Sequence, residues 1–473
     1  MTRLLMFRRA LASSARQLTA TLLVILVFMP SESAHATAGQ LDPSFGVDGG
    51  KVTTAIGRSR AFATATAIQH DGKIVVAGQC EFGANHFCLV RYNPDGSLDN
   101  EFGIAGNVVT VEMASDHLGG IALQPDGKIV VAGTCFSYST FSYFFCTARY
   151  HAYGALDASF GGAGVVSGRD VAGSDVAAAV TLQTDGKIVI AGSCWNTINS
   201  ALCVARYGVD GVPDATFNGG EVLVTSLGYL AGYGAGVAVL PAGKILLSGH
   251  CTDGTNLVLC MTRLNPSGDA DITFGQSGRV STSPSTGANV ESAGIVVLSD
   301  GGLVQFGTCH GGTQNYFCLS RHGPNGSPDL AFNLNGMQRR NGNDGELVHA
   351  AVVQPDGKLL LAGQCPGQAG SGIEYCIARF EVDGSIDPTF GIAGWTFVRF
   401  GGSLNVATAV ALQRDGKAVV TGYCDAPDRF EFCMARLLGD DAHAVPTGGL
   451  AFWFVLTALL IVGSVRRFAN PTA

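Results

Sequence analysis

Short apolar runs broken by turn residues recur along the whole chain, and the segments between them hold no convincing helix. One hairpin signal returns seven times: Asp71-Gly72-Lys73, Asp126-Gly127-Lys128, Asp185-Gly186-Lys187, Ala242-Gly243-Lys244, Asp300-Gly301-Gly302, Asp356-Gly357-Lys358 and Asp415-Gly416-Lys417. Its glycines are spaced by 55, 59, 57, 58, 56 and 59 residues. Asp-Gly supplies the positive φ that a tight turn between twisted strands requires. A strand is predicted before each turn, as over Ala63 to Gln69, and another after it, as over Ile74 to Gly78. A third follows around Phe87 to Tyr92, and a fourth around Gly50 to Ala55 or Gly106 to Val111. Runs such as Ile74 to Ala77 are apolar at consecutive positions, as in sheets covered on both faces.

Four antiparallel strands per unit of about 57 residues, seven times over, predict an all-β chain folded as a seven-bladed β-propeller across residues 39–438. A β-solenoid would need shorter rungs and capping units, which the chain does not show. Composition agrees with a turn-rich β protein: 65 of 473 residues are Gly and only 14% are charged.

The ends depart from the repeat. Residues 1–38 read as an export signal and its helix, with Arg3, Arg8, Arg9 and Arg16 ahead of an apolar run from Thr19 to Met29. Ala34-His35-Ala36 offers the cleavage site, so that the mature chain starts near Thr37. Residues 439–473 carry Val445-Pro446-Thr447, an apolar helix over Leu450 to Val465 and the pair Arg466-Arg467. This tail resembles the IPTL-type C-terminal sorting signals of Gram-negative bacteria, although Gly448 and Gly449 stand where that family has Leu and a polar run. The resemblance implies a membrane tether that is transient before processing; a plain membrane anchor is the alternative. Between the ends, 23 basic residues face 34 acidic ones, a net charge of −11 that repels phosphate backbones and argues against nucleic acid as a partner.

Leu-Asp-x-x-Phe-Gly, then Gln-x-Asp-Gly-Lys-Ile-Val-Val-Ala-Gly, then Arg-Tyr resembles the delta-60 repeat of bacterial secreted and surface proteins over residues 41–437. The resemblance implies a propeller and no established catalytic activity. The fourth and fifth units depart from it, with Leu240 and Leu298 in place of Gln and with Ala242 and Gly302 in the turn, and looser turns are expected there.

All 14 cysteines lie in the repeat, two per unit: Cys80 and Cys88, Cys135 and Cys146, Cys194 and Cys203, Cys251 and Cys260, Cys309 and Cys318, Cys365 and Cys376, Cys424 and Cys433. An even count, fixed register and an export signal predict seven disulfides, one within each unit. Zinc pairs are usually closer in sequence and come with a companion pair, so a metal reading is disfavoured.

The second cysteine always opens Cys-x-x-Arg, giving Arg91, Arg149, Arg206, Arg263, Arg321, Arg379 and Arg436. Eight residues after each of the first six stands the Asp of Asp-x-x-Phe: Asp99, Asp157, Asp214, Asp271, Asp329 and Asp387. Arg436 has no such Asp and Asp42 has no such Arg, so the two orphans are expected to meet if the ring closes. The pairs are read as structural; a seven-fold anion-binding ring is the alternative.

Asn93 to Asp99 and Glu381 to Asp387 resemble calcium loops, but most copies, such as His151-Ala152-Tyr153-Gly154, lack the six to eight oxygens calcium needs, so they are read as turns. His70, His86, His117, His250 and His310 share no register, no HExxH is present, and neither a nucleophile elbow nor a P-loop occurs. No catalytic residue, cofactor or metal is assigned. The Cys loops vary most, as Phe136 to Phe145 against Glu81 to Phe87, and variable loops on a rigid scaffold are where recognition resides. The chain is therefore read as a monomeric, non-catalytic binding or scaffold module. It would sit in the periplasm, at the cell surface or in the medium, and take an extracellular glycan or protein. The alternatives are a propeller-type lyase or hydrolase and a purely structural envelope protein. An enzyme should break the repeat with a His, Glu or Tyr present at one register in a single blade and clustered with others.

Overall fold

The computed structural model describes residues 37–440, apart from 58–59, 111–114, 169–173, 196–197, 226–227, 229–230, 253, 284–288, 312–313, 333–344, 368–369 and 371. The signal helix and the hydrophobic tail lie outside the described residues. Among those described, no helix is long and apolar enough to cross a membrane.

Seven antiparallel sheets form a seven-bladed propeller. In blade 1 the inner strand Ala61–Ile68 pairs with Ile74–Glu81, then comes Asn85–Tyr92, and Asn107–Thr110 is outermost. The same order repeats in the blades whose inner strands are Ser115–Leu123, Val176–Leu182, Ala231–Val239 and Leu347–Val353. Blade 5 shows three strands among the described residues, Asn289–Val297, Leu303–Gly311 and Gln314–His322. Blade 7 takes Asn405–Leu412, Ala418–Ala426 and Arg429–Leu437 from the C-terminal end and its outer strand, Lys51–Thr54, from the N-terminal end. The inner strands of blades 7 and 1 touch as those of other neighbours do, so the ring is closed by strands from both ends of the chain.

Each turn between the first two strands is locked in one way. Gln69 N donates to Lys73 O at 2.8 Å, and Gly72 takes φ +85°. The fourth and fifth turns are not looser: Leu240 N and Leu298 N donate to Lys244 O and Gly302 O at 2.8 Å. Ala242 accepts a positive φ of 61° to do so.

The inner strands are bulged, between Ala63 and Ala65 in blade 1. There the inner strand rides over the glycine of the Gly-x-Cys motif, and a Cβ on Gly78 would collide with Phe62 O. Gly133, Gly192, Gly249, Gly307, Gly363 and Gly422 are hemmed in by the equivalent carbonyls. Close approach, not φ, demands glycine at these positions.

The core is a set of wedges between blades. Val75, Leu89 and Phe102 of blade 1 pack on Ile129, Val131 and Phe144 of blade 2, and Val304, Phe306 and Phe332 of blade 5 on Leu359, Leu361 and Phe380 of blade 6. Among the described residues, the apolar wedge divides only between blades 4 and 5, into a small cluster around Leu259, Val290 and Tyr316 and another around Leu246, Met261 and Leu303. A buried amide, Gln305, lies at this interface. It stands where the other blades have Val76, Val131, Ile190, Leu247, Leu361 and Val420, is fully buried, and donates through Nε2 to Gly249 O, Cys260 O and Ser292 Oγ.

Candidate functional site

The cysteines pair within blades as seven disulfides, with Cα–Cα distances of 5.6–5.9 Å, and no described cysteine is free. Each bridge runs diagonally between the second and third strands: Cys80 lies opposite His86 and Cys88 opposite Gly78. Seven bridges of this kind belong to an extracellular or otherwise oxidising compartment.

The arginines lie on the opposite, turn face. Arg91, Arg149, Arg206, Arg263 and Arg379 place Nε 2.7–2.8 Å from Asp99, Asp157, Asp214, Asp271 and Asp387. Arg436 Nε donates to Asp42 at 2.9 Å across the seam, and Asp42 N donates to Arg436 O. A lysine of the turn motif joins each of these carboxylates, from Lys73 on Asp99 at 2.9 Å to Lys417 on Asp42 at 3.1 Å. Beneath each guanidinium lies the ring of the Asp-x-x-Phe motif, 4.4 Å away for Arg436 over Phe45 and 4.9 Å for Arg379 over Phe390. A further Nη1 bond reaches the next blade, as from Arg206 to Pro266 O and from Arg321 to Val382 O. Arg379 instead grips Asp440, where the described chain ends. The guanidinium donors are thus directed into protein acceptors, which argues against the anion-binding ring.

Burial alone would raise the carboxyl of Asp42, but hydrogen bonds from Ser44 and Lys417 and the charge of Arg436 bring it down to about 2. Asp157, Asp214, Asp271 and Asp387 are held well below the usual carboxylate range by the same balance. Lysine participation was hidden in the sequence because Lys reads as part of the turn. Blade 5 lacks it: Gly302 replaces Lys, Arg321 Nε sits 3.4 Å from Asp329, and its Nη2 turns to Asp300 at 2.5 Å.

The Cys-loop face is where the blades differ. On blade 2 the loop Phe136-Ser137-Tyr138-Ser139-Thr140-Phe141-Ser142-Tyr143 gathers aromatic rings, with Phe136 5.1 Å from both Tyr138 and Tyr143. Tyr138 is 69% exposed and Phe141 80%. Tyr143 O accepts from Asp175 N, and Asp175 Oδ1 accepts from the backbone of exposed Trp195, so the aromatic strip runs on to blade 3. At the seam of blades 7 and 1, Phe62, Tyr423 and Phe430 pack together beside a cleft of about 760 Å³ lined by Arg60, Glu81, Asp425 and Arg429. Between blades 4 and 5, Tyr233 stacks on His250 at 5.1 Å, and Glu291 Oε1 lies 3.6 Å from His310 Nε2. His250 and His310, which share no register in the sequence, are thus brought to one interface. His70, His86 and His117 do not join them there. No described group of three or more His, Cys, Asp or Glu is disposed to hold a metal ion.

The profile of a family described as "Domain of unknown function (DUF5122) beta-propeller" matches residues 69–102, 124–160, 183–217 and 354–390, so the chain carries repeats of that kind. No curated protein matches. Among solved structures, the chain is similar to a protein of unknown function from Dyadobacter fermentans, at 13% identity over 82% of this chain and 98% of that one, TM-score 0.42. It is also similar to the polysaccharide lyase Uly1, at 10% identity over 87% and 98%, TM-score 0.46. The α-L-arabinofuranosidase Arb93A of Fusarium graminearum shares 10% identity over 80% and 93%, TM-score 0.41.

Proposed function

We propose that this chain is an exported, non-catalytic binding module that holds an extracellular glycan against its Cys-loop face. The observation that carries the reading is the aromatic strip of blades 2 and 3, where exposed rings alternate with hydroxyl side chains on a loop clipped at its base by Cys135–Cys146. Flat rings match the C–H faces of sugars, and the clip removes part of the ordering cost of binding.

The test is retention of the full chain on insoluble cellulose, xylan, chitin and peptidoglycan, with analysis of released sugars. Retention on at least one, reduced tenfold or more by Tyr138→Ala with Trp195→Ala, is the expected result. Retention on none of them, or release of products, would overturn the reading.

A further inference from the structure

The interface between blades 4 and 5 carries polar groups at three levels, between and beyond its two small apolar clusters. Gln305 interrupts its middle, and His322 of blade 5 bonds Thr282 of blade 4 at 2.9 Å near the turn face. At the Cys-loop end stand Tyr233, His250, Glu291 and His310. The inner-strand register occupied by Tyr233 and Glu291 holds Phe62, His117, Val176, Leu347 and Val406 in the other blades. Among the described residues, this is where a Tyr, a Glu and two His leave the repeat together; an enzyme would show the same departure, and the analysis of released sugars above separates it from a binding site.

We infer that these four side chains form a subsite for a neutral sugar unit of a polysaccharide. The inference rests on the glycan-binding reading above and names the chemistry of the sugar. Tyr233 lies between Gly232 and Gly234 and keeps 44% of its surface exposed while leaning on His250. The ring is therefore an exposed platform backed by an imidazole. His250 is held in place by Ser292 N, which donates to its Nδ1 at 3.2 Å, so the proton of the neutral ring sits on Nε2. His310 is oriented from behind by Asn315 Oδ1, 2.8 Å from Nδ1, which turns Nε2 toward Glu291. The Glu291 side chain remains 56% exposed. Glu291 reaches from blade 5 toward the imidazole that backs the ring, and a carboxylate so placed accepts hydrogen bonds from hydroxyls of a pyranose stacked on that ring. The same carboxylate, on a propeller of net charge −11, repels uronates, so the sugar is neutral.

Affinity electrophoresis of the full chain through mixed-linkage β-glucan, xyloglucan and galactomannan, with alginate and polygalacturonate as acidic comparators, tests this. Tyr233→Ala is expected to weaken binding to a retarding neutral glycan tenfold or more, Glu291→Gln three- to tenfold, and Tyr233→Phe less than twofold, each with an unchanged melting temperature. Unchanged affinity in Tyr233→Ala while Tyr138→Ala with Trp195→Ala abolishes retardation would overturn this subsite and leave the loop-face reading standing. Retardation by alginate or polygalacturonate that depends on Tyr233 would overturn the neutral-sugar assignment. Retardation by none of the three neutral glycans would overturn this subsite, and retention on the insoluble polymers decides the loop-face reading separately.

Discussion

Blade 5 meets its two neighbours in opposite ways. Toward blade 6 it offers Val304, Phe306 and Phe332 to a continuous apolar wedge. Toward blade 4 it offers Gln305, His322, Glu291 and His310. Its ionic centre is also the weakest, with the guanidinium 5.9 Å above Phe332 against 4.9 Å for Arg379 above Phe390 in blade 6. A repeat protein does not need every interface to be equally strong once the ring is closed, because neighbours on both sides hold each blade. What the difference teaches is that one interface has been freed from the packing rule of the others, and its outer end carries the unusual side chains.

The largest expected contrast lies in the ionic centres. Arg379→Ala leaves the fully buried Asp387 with Lys358 as its remaining cation and releases Asp440, and should cost about 3–5 kcal/mol in denaturant unfolding. Arg321→Ala should cost about 1 kcal/mol, because its pairs with Asp300 and Asp329 are partly exposed. Equal losses would erase the distinction between the blades.

The polar layer gives the next test. Leu361→Gln puts into the dry wedge of blades 5 and 6 the amide that Gln305 presents between blades 4 and 5, and should cost about 3 kcal/mol. Gln305→Leu removes the donor to Gly249 O, Cys260 O and Ser292 Oγ but also the unpaired buried Oε1, and should stay within about 1 kcal/mol of the wild type, measured in the same way. A mild Leu361→Gln would show that the wedges tolerate polarity generally.

The smallest effect is conditional on pH. Burial lowers His322 from 6.5 to about 4. The unfolded chain therefore takes up this proton first, and stability is lost as pH falls from about 6.5 toward about 4. Tyr92 and Tyr150 occupy the same register and bond Thr54 and Thr110, so His322→Tyr should keep the bond to Thr282 and flatten the melting-temperature profile in that window. A profile identical to the wild type would show that His322 is not the group that titrates. The depressed carboxylates act at lower pH: the contribution of Asp42 is full above about 4 and fades as pH falls through about 2.

Much of the fold could be read along the chain because the blade is a local object. Its turn glycines, its Gly-x-Cys pair and its apolar strands lie within about 57 residues, and their recurrence specifies four strands and one sulfur bridge per unit without reference to any other unit. The orphaned Asp42 and Arg436 even marked the two ends of the ring. The candidate site was not legible in this way. Tyr233, His250, Glu291 and His310 belong to two different blades, and no spacing along the chain marks them as neighbours. Their meeting depends on the twist of each sheet and on the angle that seven closed blades impose on one another. Periodicity reports contacts inside a repeat, whereas the chemistry between repeats is decided by the rotation from one blade to the next.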